Sequence, residues 1–375
     1  MAYTIKDLVI VLREYYTRSK LDIIDIHRRE IAFERWNDFR GPSLRPVYFQ
    51  HIDSLSKFLI EYPYAGVYAS TGYYLDPNEL DMKKKTLMKT DLVFDLDMHI
   101  EGTRYEFFEK MCTHTKTLIH DFLIKDFGIP PEKIKVEFSG NKGFHVTIDD
   151  EDMRNMDVSD RRQMVDYIMG LKVDKNTLFT NNRTSPVSGG WKRHADNLIR
   201  EILDNTEGSN NGEMIDYFIE LGIPKNRVKK ISGLLSNARV RNAMKAGHLN
   251  MVYDADRRLL TDLKNVLLRR HKSGLGAVLD RAVTVSTHRL FRVPGSIHRK
   301  SGLPCINLEI ADLESPDFIF EKIMQTVGED MVEIELGSDI VLDLYEREEL
   351  SKGTHTLPRW KAIPALLIEK KKLQV

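Results

Sequence analysis

The sequence predicts a mixed α/β (α+β) fold: two β-sheets flanked by helices, interrupted by a helical insertion. Three observations lead there. Apolar runs of strand length gather at Arg29–Glu34, Gly66–Ser70, Leu92–Asp97, Lys135–Phe138 and Phe144–Ile148. Similar runs return at Ala282–Val285, Arg289–Val293 and Ile306–Ile310. Between the two groups, from about Ser159 to His271, the chain is polar and helix-like, broken by Gly, Asn and Ser in TNNRTSPVSGG and NTEGSNNGE.

The elements follow in order. Asp7–Lys20 reads as an opening amphipathic helix, because Leu8, Val11, Leu12, Tyr15 and Tyr16 fall on one side. Tyr105–Phe127 reads as a long helix: Phe108, Met111, Thr115, Leu118 and Phe122 recur at helical spacing, and Gly128 and Pro130 end it. Lys135–Phe138 and Phe144–Ile148 are joined by SGNKG, the pattern of strand, tight loop, strand. Ser315-Pro316-Asp317 carries the serine cap and first-turn proline of another helix. The expected organisation is a catalytic core in two parts, 1–158 and 272–375, with a helical insertion subdomain at 159–271.

Bulk properties narrow the field. A chain of 375 residues with 42% hydrophobic and 30% charged residues has ample apolar surface for a core. Its 56 basic and 56 acidic residues cancel, so attraction to phosphate must come from local patches. Two cysteines, Cys112 and Cys305, exclude a disulfide framework and point to a reducing compartment. No stretch is long and apolar enough for a membrane span, and the charged N-terminal run does not read as a signal peptide. A cytoplasmic protein is expected.

Three constellations carry chemistry. In LVFDLD, strand alternation sends Asp95 and Asp97 from one face and Phe94 and Leu96 from the other. Two carboxylates so close repel each other, and a hard divalent cation is the usual remedy. In Ser139-Gly140-Asn141-Lys142-Gly143-Phe144-His145, two glycines let backbone N–H groups converge on an anion, and Ser139, Lys142 and His145 add donors. It is not a Walker loop, since the Gly-Lys-Ser/Thr ending is absent. The third is Asp280 with the dense basic run His288–Gly302. Asp280 offers a third carboxylate, and Arg292 and His298 flank a Pro-Gly turn suited to gripping phosphate oxygens. Singly, each also has an ordinary reading: a solvated strand end, a hairpin turn, a basic surface loop.

Together, in this order and at these spacings, the segments resemble the archaeal and eukaryotic DNA primase small subunit. That family has an Asp-x-Asp strand, a Ser-Gly-x-x-Gly-x-His loop, a later aspartate, and an (Arg/Lys)-x-Pro-x-Ser-(hydrophobic)-His-x-Lys-(Thr/Ser)-Gly segment. Here these are DLD at 95–97, SGNKGFH at 139–145, Asp280, and RVPGSIHRKSG at 292–302. Arg29-Glu30-Ile31-Ala32-Phe33 and Val67-Tyr68-Ala69-Ser70 look like two further family segments.

The resemblance implies a DNA primase catalytic subunit that makes short primers on single-stranded DNA from NTPs or dNTPs by two-metal-ion catalysis. Asp95, Asp97 and Asp280 would hold Mg2+ or Mn2+. Ser139, Lys142, Gly143 and His145 would hold the incoming triphosphate from one side, Arg292 and His298 from the other. Arg29 is a weaker candidate for that pocket. A large subunit is the implied partner. Two other readings stay open: a primase-like repair or end-joining polymerase, and a non-catalytic nucleotide- or DNA-binding subunit.

Some positions depart from the family. Asn141 stands where some members carry a basic residue, which leaves more of the triphosphate charge to Lys142. Ser286 stands where many archaeal members are acidic. The region that holds a zinc knuckle in many members offers His99, Cys112, His114 and His120 but no Cys-x-x-Cys, so zinc is not expected. Cys305 reads as a buried apolar residue. The runs Lys83–Lys85, Arg239–Lys245 and Lys370–Lys372 read as solvated faces. Tyr73 and Tyr74 suit base stacking and core packing equally.

Overall fold

The computed structural model describes residues 2–36, 41–99, 101–171, 173, 178, 190–246, 256 and 258–372. The chain divides into two compact units. The first comprises Met1–Thr117, Pro130–Arg162 and Val278–Val375; the second comprises Leu118–Ile129 and Gln163–Ala277. No helix among the described residues is long and apolar enough to cross a membrane.

The first unit is built on two four-stranded antiparallel sheets. One sheet joins β1 (Ile31–Glu34), β2 (Leu44–Val47), β3 (Gly66–Ser70) and β9 (Leu290–Arg292) in the order β2-β1-β3-β9. The other joins β6 (Leu92–Asp97), β7 (Ile134–Phe138), β8 (Gly143–Ile148) and β10 (Ile306–Leu308) in the order β10-β7-β8-β6. Each sheet therefore takes its last strand from beyond the helical insertion. The short pair β4 (Gly72–Tyr74) and β5 (Leu87–Thr90) stands beside them.

Helix α1 (Leu8–Arg18) buries Leu8, Val11, Leu12, Tyr15 and Tyr16, the side its spacing predicts. Phe58 of α2 (Ile52–Glu61) meets Phe33 of β1 with ring centroids 5.2 Å apart. Helix α3 (Arg104–Lys116) begins with a full capping box between Thr103 and Glu106. It buries Phe108 against Phe138, Phe144 and Phe320, at 5.0, 6.1 and 5.0 Å. Phe94 and Leu96 are fully buried as well. Burial of each such side chain contributes roughly 1.5–3 kcal/mol, and it fixes which face of β6 carries the two aspartates.

The long helix expected over Tyr105–Phe127 is helical, but its winding changes at Thr117, where a π-helical stretch runs to Ile124. The helical unit contains Gly190–Asn205, Asn211–Glu220, Lys225–Leu235, Ala238–Lys245 and Leu259–Ser273. Gly190–Asn205 buries Trp191, Ala195, Leu198, Ile199, Ile202 and Leu203, one stripe at helical spacing. The NTEGSNNGE break falls where that helix ends and Asn210 caps the next. The TNNRTSPVSGG break lies outside the described residues, save Gly190.

Some expectations are corrected. Ala282–Val285, read as a strand for its β-branched residues, lies in a short helix, Arg281–Val285. The Asp280 carboxylate accepts from the N–H groups of Ala282 and Val283, and this local cap outweighs strand propensity. Lys85 is no solvated residue: its side chain is 2% exposed and its ammonium lies 2.5 Å from Glu30. Tyr73 and Tyr74 belong to the core. Two C-terminal strand pairs escaped the sequence reading: β11 (Met331–Leu336) with β14 (Gly353–Pro358), and β12 (Ile340–Asp343) with β13 (Arg347–Leu350). In β11 exposed and buried residues alternate strictly, a signal that MVEIEL does carry.

One buried charge ties the β6 sheet to the helix beside it. Arg161 is fully buried, and its guanidinium donates to the carbonyls of Thr90 (2.7 Å), Asp91 (2.9 Å) and Met156 (3.0 Å). Methionine at 161 fills the volume and strands those carbonyls. The expected cost is about 3 kcal/mol, read as a lower urea midpoint at unchanged slope.

Candidate active site between the two sheets

A cavity of about 300 Å³ opens between the two sheets, lined by Tyr68, Asp95, Ser139, His145, Val283, Arg289, Leu290, Phe291, Arg292 and His298. Strand register explains the gathering. Asp95 pairs with His145 across β6 and β8, and His145 pairs with Glu137 across β8 and β7. Tyr68 pairs with Arg292 across β3 and β9. Period-two alternation keeps Asp95 and Asp97 on the face opposite Phe94 and Leu96.

The acidic side is electrostatically tense. Burial raises the Asp95 carboxyl above its ordinary range; the charges of Asp97 and Asp280 push the same way, while His145 and Arg289 oppose them. Leu96 bridges to Leu279, and the Asp280 N–H donates to the Asp95 carbonyl at 2.9 Å, which brings Asp280 beside β6. Two basic side chains stand against these carboxylates. Lys142 Nζ is 3.1 Å from Asp97 Oδ2, and His145 Nε2 is 3.8 Å from Asp95 Oδ1. Among the described residues, no three of His, Cys, Asp and Glu stand as a formed metal centre. The donor chemistry nonetheless fits a hard divalent cation: three carboxylates, two on adjacent positions of one strand face.

The loop between β7 and β8 turns tightly through Gly140. Gly140 has φ +88°, and an added Cβ would lie 2.9 Å from His298 Cβ and 3.0 Å from the Leu303 carbonyl, so glycine is required there. Ser139 Oγ accepts from the Gly143 N–H at 3.2 Å, which leaves its own O–H free to donate. The basic wall stands opposite. Arg292 donates from Nη2 to the Tyr68 hydroxyl at 2.7 Å and from Nη1 to the Ile297 carbonyl at 3.2 Å. Tyr68 donates in turn to Glu34 at 2.9 Å, and Arg299 lies 2.9 Å from the same buried carboxylate. His298 Nδ1 accepts from the Lys300 N–H at 3.2 Å. Burial, then the charges of Arg292, Lys300, Arg104 and Arg299, hold this ring well below its ordinary pKa. The ring is therefore neutral at pH 7, with its proton on Nε2 as a donor.

The DNA primase small subunit profile matches residues 94–310, from the Asp-x-Asp strand through the basic turn to the strand after it. The chain belongs to the DNA primase small subunit family. It is 28% identical to the DNA primase small subunit PriS of Picrophilus torridus, over 93% of each chain. It is 29% identical to that of Methanococcoides burtonii, over 94% of each. Among solved structures, the polymerase domain of Mycobacterium tuberculosis ligase D in complex with DNA matches 86% of this chain and 88% of that one, at 13% identity and a TM-score of 0.31. So loose a superposition decides nothing about fold or function. Family membership makes this chain the catalytic type of primase subunit, an enzyme of DNA replication and a nucleotidyltransferase.

Of the residues that match the primase motifs, Asp95, Ser139, His145, Arg292 and His298 line the one cavity. Asp97 and Lys142 pair with each other and are not among the lining residues, and Asp280 is exposed. Gly143 starts β8 opposite Asp97. Arg29 is elsewhere. Its guanidinium is spent on the carbonyls of Ser70 (2.7 Å) and Thr71 (2.8 Å) and on Asp91 (2.6 Å), and it lines a second cavity of about 110 Å³ that shares Phe291 and Arg292 with the first. Cys112 is buried in α3, where burial pushes its thiol up to about 12. Cys305 is fully buried. Tyr68, Arg289 and Phe291, to which the sequence reading assigned no role of their own, line the same cavity. Tyr68 was legible as the residue before Ala69-Ser70 in a strand segment, but its partner Arg292 lies 224 residues away.

Proposed function

We propose that the cavity between the sheets is the site at which this primase subunit joins nucleotides on single-stranded DNA. One observation carries the reading: a single cavity collects Asp95, then Ser139 and His145, then Arg292 and His298, from three distant stretches of chain. Carboxylates stand on one side and phosphate donors on the other, the arrangement that phosphoryl transfer needs.

Asp95, Asp97 and Asp280 would hold Mg2+ or Mn2+. Bound there, such ions would supply a lowered pKa for an attacking 3′-hydroxyl and charge neutralisation for the triphosphate and the departing pyrophosphate. The chain's own groups do the rest. Ser139 donates its hydroxyl, and Lys142 and the loop N–H groups meet the triphosphate from one side. His145 presents Nε2 beside Asp95. Arg292 and the neutral His298 donate from the other side. Lys142, paired with Asp97 at 3.1 Å, would be free to meet the phosphates if Asp97 held a cation instead. NTPs or dNTPs are the substrates, and a primase large subunit is the partner in a heterodimer.

The test incubates the chain, with and without its large subunit, with unprimed single-stranded DNA, labelled nucleotides and Mg2+ or Mn2+. New oligonucleotides support the reading. Extension of an added primer without any new chains would point to a repair or end-joining polymerase. Single-strand binding with no synthesis of either kind would point to a non-catalytic subunit. His145→Ala is expected to raise KM for nucleotides about tenfold, the worth of one hydrogen bond to a charged group. An unchanged KM removes His145 from the pocket.

A further inference from the structure

We propose that Arg104, outside every motif, is a positioning residue that clamps the Ser139–Gly143 loop into its triphosphate-binding shape. This rests on reading that loop as the triphosphate cradle. Arg104 opens α3 and is 8% exposed. Its Nη1 donates to the Asn141 carbonyl at 2.5 Å and its Nε to the Asp343 carbonyl at 3.3 Å. Its own N–H donates to Asp343 Oδ1 at 3.3 Å. The guanidinium thus spans from the loop to the end of β12, and the Thr103–Glu106 capping box fixes the turn that carries it.

A second clamp closes the other side. Ser301 Oγ donates to the Gly140 carbonyl, and Gly140 packs against His298 and Leu303 too closely for any Cβ. The Lys142 carbonyl accepts from Met98 and the Gly143 carbonyl from Ser139. Four successive carbonyls, 140 to 143, are therefore all engaged. The N–H groups of Gly140, Asn141 and Lys142 have no acceptor among the described residues. Successive unspent N–H groups make an anion-binding concavity only while the peptides keep their orientation. Anchoring the carbonyls is what holds that orientation. Arginine suits the task because its planar fork reaches two carbonyls at once, which a lysine ammonium does not. The guanidinium is held there against burial, which pulls its pKa down, with Asp343 opposing.

The test measures binding of ATP, inorganic tripolyphosphate and single-stranded DNA to the full chain with Mg2+ present. Arg104→Met keeps the apolar stem and removes the donors. We expect about tenfold weaker binding of both ATP and tripolyphosphate, with DNA affinity within about twofold, in line with one charge-assisted hydrogen bond. Ser301→Ala is expected to weaken the same two ligands. Equal ATP affinity in the unmutated chain and Arg104→Met overturns the inference, as does a loss shared equally with DNA, which marks general damage. If Arg104→Met does not fold, Arg104→Lys takes its place, with a smaller loss in the same two ligands. If the unmutated chain binds neither ATP nor tripolyphosphate, the reading of the loop falls as well.

Discussion

Asp95→Ala and Asp97→Ala are each expected to abolish primer synthesis, with kcat reduced by about three orders of magnitude or more, at least the loss that follows removal of one preorganised electrostatic group elsewhere. The fold survives, and the reason is local. Asp95 is an acid that the folded chain disfavours in its charged form: burial, Asp97 and Asp280 all raise its pKa. A carboxylate with a raised folded-state pKa costs stability above that pKa, so alanine relieves strain at neutral pH. The melting temperature of Asp95→Ala is expected to be unchanged or higher. Asp97 is 41% exposed at its side chain, and its ion pair with Lys142 is worth little in water. Steady-state synthesis and thermal melting on the same preparations check both halves. Synthesis retained in either mutant contradicts the assignment of these residues to the catalytic metals.

Arg292→Ala is expected to raise KM for nucleotides by roughly 10- to 100-fold with a smaller change in kcat, since one charge-assisted contact to phosphate is worth about 1.5–3 kcal/mol and about 1.4 kcal/mol is tenfold. The guanidinium is 6% exposed at its side chain and aimed before any ligand arrives. Tyr68 and Ile297 each take one donor, which leaves the others of the fork for phosphate oxygens. Arg292→Lys does not restore the site, because an ammonium cannot serve both the framework and the ligand. Glu34 keeps Arg299 and Tyr68 as partners in the alanine variant, so no buried charge is stranded there. A KM unchanged in Arg292→Ala takes this residue out of the pocket.

Much of this was legible beforehand, and the limits have physical causes. Strands β3 and β6 run over the residues that their patterns marked, and β7 and β8 follow within a residue, because alternation with period two reflects a face that must be buried. The turn at SGNKG announced itself through Gly140, whose left-handed φ no other residue adopts cheaply. The Ala282–Val285 expectation failed because one side chain outside the segment, Asp280, caps it. Lys85 and Arg29 were misplaced because their partners, Glu30 and Asp91, lie 55 and 62 residues away. Arg104 was invisible for the same reason: Asn141 and Asp343 are 37 and 239 residues distant.

By itself, the sequence determined the two-sheet core with its helical insertion, the face from which Asp95 and Asp97 leave β6, and the residue types fit for carboxylate and phosphate chemistry. These follow from local periodicity and backbone sterics, which act over a few residues. Only the tertiary structure decided which of those groups share a cavity, which arginines are spent on the framework, and what holds the loop carbonyls in place. Those questions turn on strand register and burial, set by packing among residues that the chain brings together from hundreds of positions apart.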